Sequence, residues 1–226
     1  MQAPNDMRAR LSPDGSTVAY TPTTSEAEKV VFLVSATGGD ARKFCDTCGL
    51  IYDWTPDGRK ILYRTGNPMR FWTIEVATGR QTEIVAHPKF GIYGVVPSPD
   101  QRWLAVHYGG ADAPQGLFIA PVGENVAAKP QSEWITVAER PGQNPRPRWS
   151  PDGNVLYYLY AARGRVEIWA RRLDPETKQP RGEAFLLYSP PAQRSLGAGH
   201  PFGPARGTRQ LIFPMFESTG NVWLAE

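Results

Sequence analysis

Histidine and cysteine are scarce in this chain, whose 226 residues include three His and two Cys. So few imidazoles leave little material for acid–base catalysis. The sequence also lacks the G-x-S-x-G nucleophile elbow, the P-loop and the H-E-x-x-H zinc motif. We therefore expect a protein that is not an enzyme, with no catalytic residues, no metal site and no cofactor.

Long apolar runs are missing as well. None approaches the ~18 residues of a membrane-spanning helix, and the first residues show no apolar segment of the kind that signal peptides carry. The net charge of +3 is far below the basic excess typical of nucleic-acid-binding proteins. With 41% hydrophobic residues, the composition indicates a globular protein without membrane insertion and without a nucleic-acid partner.

Turn-forming residues are abundant instead, with 22 Gly and 22 Pro. Some of them belong to a Ser/Thr-Pro-Asp-Gly motif that precedes an apolar run, in four copies and a degraded fifth. The motif prolines are Pro13, Pro56, Pro99, Pro151 and Pro204. An aromatic residue follows each of them in similar phase: Phe32, Trp72, Phe118, Trp169 and Trp223. Two signals that recur at a similar spacing from each other in five copies indicate true internal repeats.

Each repeat contains short segments rich in β-branched and aromatic residues, which predict four strands per repeat. In the first repeat the expected strands are 7–11, 17–21, 30–34 and 41–44. The fifth repeat supplies three, at 201–202, 210–216 and 222–225. The approximate repeats, all within one domain over 1–226, are 6–45, 46–88, 89–138, 139–195 and 196–226.

The motif itself predicts a tight turn. Proline fixes φ at about −65°, aspartate bonds the local backbone, and glycine adopts the left-handed conformation that closes a bulged hairpin. Gln101 occupies the glycine position of the third copy. We therefore expect the third turn to be strained or differently shaped.

Four-stranded repeats of about 40–50 residues indicate an all-β protein, a β-propeller of four-stranded antiparallel blades. The segments LSPDGSTVAY, WTPDGRKILY and WSPDGNVLYY resemble the repeats of the TolB-type, WD-repeat-like propeller family. Five repeats are visible and the last blade is incomplete. Two interpretations remain open: a five-bladed ring, or part of a larger ring. An open arc would leave a bare sheet edge and an exposed apolar blade face.

A second resemblance lies in CDTCGLIYDWTPDGRKILY, WTIEVATGR and the NVWLAE ending. Together they resemble the extracytoplasmic propellers of bacterial Ser/Thr receptor-type kinases. This resemblance implies a periplasmic or extracytoplasmic location and a sensor role within a larger receptor. It also favours a disulfide in the CxxC loop.

The pair Cys45 and Cys48 allows three interpretations from the residues themselves. The first is a local disulfide, which implies an oxidising compartment, and the second is two reduced thiols. The third is half of a zinc site, which needs four ligands. The repeat phase places both cysteines on the same ring face as His87 and His200, opposite the Ser/Thr-Pro-Asp-Gly turns.

The first strand of each blade lies nearest the propeller axis, so its side chains decide what the tunnel can hold. Arg8 with Arg10, and Arg146 with Arg148, alternate along such strands, and Asp53 lies on a third. Four guanidiniums in a tunnel would attract an anionic ligand. The alternative is that they pair with Asp53 or other local acceptors and are structural.

Four residues of one loop, His87, Lys89, Phe90 and Tyr93, are candidates for contact on the rim, together with His200. The alternative is a packed loop. Tryptophans such as Trp54 and Trp149, which precede the turns, are expected in the core between blades.

The primary hypothesis is a non-catalytic binding or sensor module that recognises a protein, peptide or glycan through its rim loops and tunnel. It would belong to a larger polypeptide or close its ring against a partner edge. The alternatives are a propeller lyase or hydrolase with a tunnel-mouth site, and the accessory propeller of a prolyl-oligopeptidase-like peptidase without its hydrolase domain.

Overall fold

The structure is a computed structural model. It describes residues 7–22, 30–110, 113–123, 127–139, 145–162, 165–191, 194–196, 202–205 and 210–217. Within them the secondary structure is almost entirely β, apart from a single 3₁₀ turn at Gln131–Glu133. These residues contain no helix long and apolar enough to cross a membrane.

Four repeats fold into four antiparallel sheets of four strands each, here called blades one to four. Blade one consists of β1 Met7–Leu11, β2 Thr17–Pro22, β3 Val31–Ser35 and β4 Arg42–Cys45. Blade two consists of β5 Leu50–Trp54, β6 Lys60–Thr65, β7 Arg70–Glu75 and β8 Gln81–Val85. Blade three consists of β9 Gly91–Pro97, β10 Trp103–Gly110, β11 Ala113–Pro121 and β12 Ile135–Glu139. Blade four consists of β13 Arg148–Trp149, β14 Val155–Ala162, β15 Arg165–Leu173 and β16 Pro180–Tyr188.

The fifth unit differs from the expected three-stranded blade. Its strands are β17 Arg194–Leu196, β18 Gly203–Pro204, β19 Leu211–Ile212 and β20 Met215–Glu217. They form two two-stranded sheets, in which β18 pairs with β19 and β17 pairs with β20. The predicted continuous strand 210–216 is wrong, because Pro214 has no N–H for a ladder and separates β19 from β20. The predicted strand 222–225 lies outside the described residues.

The degraded fifth turn also begins later than its proline suggests. In the first turn the N–H of Ser12 donates to the carbonyl of Thr17. In the fifth unit the N–H of Ala205 donates to the carbonyl of Gln210 in the same way. Ala205 therefore occupies the position of Ser12, and Leu211 that of Val18.

Apolar clusters between consecutive blades hold the arc together. In blade two, Ile61 and Tyr63 pack towards blade one, whereas Leu62 packs towards blade three. All three side chains are buried. The alternation of side chains along a strand thus supplies both faces of each blade with core residues. The described chain is an incomplete β-propeller of four full blades and a partial fifth.

Candidate functional site

The same pattern of hydrogen bonds occurs in each of the four Ser/Thr-Pro-Asp-Gly turns. In the first turn the Ser12 hydroxyl donates to the Asp14 carboxylate at 2.6 Å and accepts the main-chain N–H of Thr17 at 2.9 Å. The same carboxylate accepts the N–H of Ser16 at 3.0 Å. Equivalent hydroxyl-to-carboxylate bonds join Thr55 to Asp57 at 2.6 Å, Ser98 to Asp100 at 2.5 Å, and Ser150 to Asp152 at 2.5 Å. The hydroxyl at the first motif position is thus a structural centre of the turn, a role that sequence analysis missed.

These bonds keep the turn carboxylates ionised. The hydroxyl of Ser12, helped by the N–H of Ser16, lowers the pKa of Asp14 to about 2. The hydroxyl of Ser150 likewise lowers the pKa of Asp152. Burial raises the pKa of Asp57, but hydrogen bonds, the largest from the Thr55 hydroxyl, outweigh it, and the net shift is downward. The turn face therefore carries permanent negative charges at neutral pH.

The third turn keeps the shape of the others despite its glutamine. Gln101 has φ 58, close to the 77, 71 and 69 of Gly15, Gly58 and Gly153. Its N–H bonds the Ser98 carbonyl at 2.9 Å, as each glycine does in its own turn. The expected strain is present, since a side chain occupies a left-handed conformation. The expected difference in shape is absent.

Turns of neighbouring blades touch one another. A Cβ added at Gly58 would lie 3.6 Å from Cδ of Pro13, and one at Gly153 would lie 3.5 Å from Cδ of Pro99. The side chain of Gln101 bonds that of Asp57. The turns thus form a continuous arc on one face, which brings carboxylates of different repeats together.

A cleft of about 440 Å³ opens on this face between the turns of blades one and two. Apolar side chains of Leu33, Trp54 and Val76 line it together with the carboxylates of Asp14 and Asp57. The other lining residues are Ser12, Pro13, Ser16, Thr17, Arg42, Pro56 and Gly58. The charged groups of the lining are two ionised carboxylates and one guanidinium, that of Arg42, so their net charge is negative. Apolar walls with a net negative charge suit a ligand group that has an apolar stem and a positive end. We call it the turn cleft.

The tunnel candidates bond main-chain oxygens of neighbouring blades. Nε of Arg10 donates to the carbonyl of Tyr52 at 2.7 Å, and Nε of Arg148 to that of Phe202 at 2.9 Å. Asp53 accepts the N–H of Trp54 at 2.9 Å. These two contacts agree with the alternative in which the arginines bond local acceptors. The anion site in the tunnel stays a prediction. Arg146 has the left-handed φ of 42, and the side chain of Arg8 lies outside the described part.

The tryptophans before the turns also bond main-chain oxygens, in each case of the preceding blade. The indole N–H of Trp54 donates to the carbonyl of Arg10 at 2.9 Å, and that of Trp149 to Val96 at 2.9 Å. Both rings are buried against the preceding blade. Their expected place in the core is confirmed, and the donor role is additional.

The rim loop is partly packed. His87 is buried and its ring packs against those of Phe90 and Tyr108, at centroid distances of 4.7 and 5.0 Å. Nδ1 of His87 accepts the main-chain N–H groups of Lys89 and Phe90 at 3.1 and 3.0 Å. Burial lowers the pKa of His87, which favours the neutral ring. Lys89 and Tyr93 are exposed and remain candidates for rim contact, although Tyr93 lies on β9 and not in the loop. His200 lies outside the described residues.

Cys45 and Cys48 form a disulfide, with an S–S distance of 2.06 Å. It closes the connection from β4 to β5, and His87 lies in the corresponding connection from β8 to β9. In an antiparallel blade these connections lie at the end opposite the turns. Among the residues that the structure describes, no group of three or more His, Cys, Asp or Glu could hold a metal ion.

Comparison with solved structures identifies the architecture. The putative TolB of Agrobacterium tumefaciens aligns with a TM-score of 0.62 at 18% identity, over 82% of this chain and 65% of that one. TolB of Acinetobacter baumannii aligns with 0.60 at 13%, over 78% and 44%. A chain of the nidogen/laminin complex aligns with 0.61 at 14%, over 91% and 70%. The fold is therefore that of a TolB-like β-propeller, and the chain spans roughly half to two thirds of the length of these TolB proteins. No family model and no curated protein sequence matches it.

Proposed function

We propose that the chain is a non-catalytic binding module that recognises a partner protein or peptide. The observation that carries this proposal is the turn cleft, which combines apolar walls with the ionised carboxylates of Asp14 and Asp57. A lysine or arginine side chain of the partner would pack its methylene stem on Val76 and Pro13, which are half-buried and line the cleft. Its charged end would meet the carboxylates in a charge-assisted hydrogen bond.

The structural relatives support a protein partner as the class of ligand. One of them is a chain of a complex between nidogen and laminin, so a similar propeller occurs in a protein–protein assembly. We propose that the chain is located outside the cytoplasm, because disulfides such as Cys45–Cys48 persist in oxidising compartments.

Binding of a synthetic library of nonapeptides to the labelled chain tests the proposal. We expect the retained peptides to be enriched in Lys and Arg. Asp14→Asn should weaken their binding roughly tenfold, the effect of losing about 1.4 kcal/mol from one charge-assisted contact. Asp152→Asn is the matched control, because Asp152 makes the same turn contacts as Asp14 but does not line the cleft.

Two results would contradict this function. The first is a library without any retained peptide. The second is binding that both substitutions weaken equally, since that would reflect loss of turn structure rather than loss of a ligand contact. If the chain retains no peptide but binds glycans in a parallel glycan screen, the partner class is a glycan and not a protein or peptide.

A further inference from the structure

Lys178 is a buried lysine. It lies in the turn between β15 and β16 and is 3% exposed. Its Nζ donates to Oδ1 of Asn154 at 3.1 Å and to the main-chain oxygen of Pro175 at 2.9 Å. A buried ammonium group is costly unless acceptors of this kind meet it. The fold therefore holds a lysine head group at a defined place on the turn face.

The ammonium group of Lys178 lies where the turns of blades three and four meet. A Cβ added at Gly153 would lie 3.8 Å from Nζ of Lys178 and 3.5 Å from Cδ of Pro99. The charge of Lys178 also acts on Asp100 in the third turn. Burial raises the pKa of Asp100, but hydrogen bonds within that turn and the charge of Lys178 outweigh it, and the net shift is downward. Lys178 thus places a positive charge between two turns, within electrostatic reach of a turn carboxylate.

The turn cleft is the same place at the junction of blades one and two. Its lining includes the counterparts of the residues around Lys178: Gly58 for Gly153, Pro13 for Pro99 and Asp14 for Asp100. A Cβ added at Gly58 would contact only Pro13 within 4 Å among the described residues. The position that Nζ of Lys178 takes beside Gly153 is therefore open beside Gly58.

The turn aspartate at the junction of blades two and three also has a partner from the following blade. Gln101 replaces the motif glycine there, and its side chain bonds Asp57. The carboxylate of Asp14 differs, because its hydrogen bonds in the described part of the chain all lie within its own turn. Of these three turn aspartates, Asp14 is thus the one that a group from outside the chain could meet.

The cation in the cleft lining does not fill the open position. Arg42 is exposed, and its guanidinium lies over the ring of Phe44 at 5.4 Å. The cleft lies between two complete four-stranded blades, so its opening is a property of that junction.

We propose that the turn cleft takes the ε-ammonium group of a lysine of the partner protein, in the place that Lys178 takes between blades three and four. This inference rests on the proposed function and specifies its ligand as lysine rather than any basic residue. The ammonium group would reach Asp14, and its methylene stem would lie along Val76 and Pro13. An ammonium group is compact and bonds acceptors in several directions, whereas a guanidinium is a wide plane that suits paired acceptors.

A blocked pentapeptide, Gly-Gly-Lys-Gly-Gly with acetylated and amidated ends, tests the choice of lysine by isothermal titration calorimetry with the full chain. Exchange of its lysine for arginine should weaken binding about tenfold, and exchange for Nε-acetyl-lysine should abolish it. Failure of the lysine pentapeptide to bind overturns the inference, and so does equal binding of the arginine or acetyl-lysine form. If the nonapeptide library still retains basic peptides in that case, the proposed function stands without the inference. A library that retains nothing contradicts both.

Lys178→Gly tests the comparison between the two junctions. Glycine readily adopts the left-handed φ of 57 that Lys178 has, so the turn should keep its shape. Removal of the side chain should open a second lysine site. We therefore expect the lysine pentapeptide to slow hydrogen exchange at the N–H of Asn154, in the fourth turn, in Lys178→Gly but not in the parent. Glu176→Gly, at an exposed position of the same turn, is the matched control and should behave as the parent does.

Exchange at Asn154 that the pentapeptide leaves unchanged in Lys178→Gly overturns the inference, because Lys178 would then not occupy a lysine site. The comparison of pentapeptides uses the parent chain alone, so it decides the matter even if Lys178→Gly fails to fold.

Discussion

Nε of Arg10 lies 2.7 Å from the main-chain oxygen of Tyr52, on the first strand of the next blade. Arg148 repeats this contact with Phe202 at 2.9 Å. Each guanidinium also bonds the carbonyl of the residue directly before it, Ala9 for Arg10 and Pro147 for Arg148. Arginines near the axis therefore connect successive blades through main-chain acceptors.

The first prediction concerns these connections. Arg148→Ala should lower the free energy of unfolding by about 1–2 kcal/mol, because two charge-assisted hydrogen bonds to partly buried carbonyls are lost. Urea denaturation measures the change. Arg59→Ala is the control, since Arg59 is exposed on a turn, and it should stay within about 0.5 kcal/mol of the parent. Equal stabilities of the parent and Arg148→Ala would show that the bonds contribute nothing.

The second prediction concerns the strained third turn. Gln101→Gly should raise the free energy of unfolding by about 0.5 kcal/mol, as removal of left-handed strain exceeds the loss of an exposed hydrogen bond to Asp57. The reverse change, Gly15→Ala, should cost about 1 kcal/mol. At Gly15 an added Cβ meets nothing within 4 Å, so that cost is purely conformational. Thermal denaturation of both variants gives the comparison, and destabilisation by Gln101→Gly would contradict it.

The third prediction concerns pH. Burial lowers the pKa of His107 to about 4, and Nε2 of this ring has no hydrogen-bond partner in the described structure. An unfolded histidine has a pKa of about 6.5. Between pH 4 and pH 6.5 the unfolded chain therefore binds more protons at this residue than the folded chain does. The free energy of unfolding should therefore fall as the pH falls from 6.5 to 4, by up to about 3 kcal/mol from this residue.

His107→Leu provides the matched comparison, because Leu159 occupies the same repeat position in blade four and is 5% exposed. The variant should lose much less stability than the parent between pH 7 and pH 4.5 in urea titrations. The turn carboxylates contribute equally to both proteins. Parallel pH profiles for the two proteins would mean that His107 does not titrate in this way.

The fourth prediction concerns the disulfide. Replacing Cys45 and Cys48 together by Ser should lower the free energy of unfolding by about 2 kcal/mol, as expected for a short closed loop. A reducing agent should have the same effect on the parent and none on the double variant. Unchanged denaturation of the parent under reducing conditions would contradict a stabilising role.

Much of this fold could be predicted from the repeats, because strand and turn signals are local. The strands of blade one were expected at 7–11, 17–21, 30–34 and 41–44, and the structure has them within one residue of those bounds. The fifth unit was harder. Its turn has lost the Ser-Pro-Asp-Gly signal, and Pro214 divides a run of apolar residues that otherwise suggests one strand.

The candidate site was less predictable, because it depends on contacts between repeats. Asp14 and Asp57 are 43 positions apart in the sequence and line one cleft only because adjacent turns touch. Arg10 and Arg148 lie on first strands as the sequence predicts, whereas Arg146 precedes β13 and does not alternate with Arg148 along it. The carbonyl acceptors of these arginines carry no sequence signal. Every peptide unit offers such an oxygen, and only the fold selects which one is reached.

Hydrogen exchange of the chain with and without a retained basic peptide tests the central claim most directly. The claim predicts that the peptide slows exchange at the N–H groups of Ser16 and Arg59, which bond the carboxylates of Asp14 and Asp57. The equivalent N–H groups of Arg102 and Asn154, in turns that do not line the cleft, serve as internal controls and should be unchanged. Protection confined to the third and fourth turns, or to the opposite face near Cys48 and His87, would contradict binding in the turn cleft.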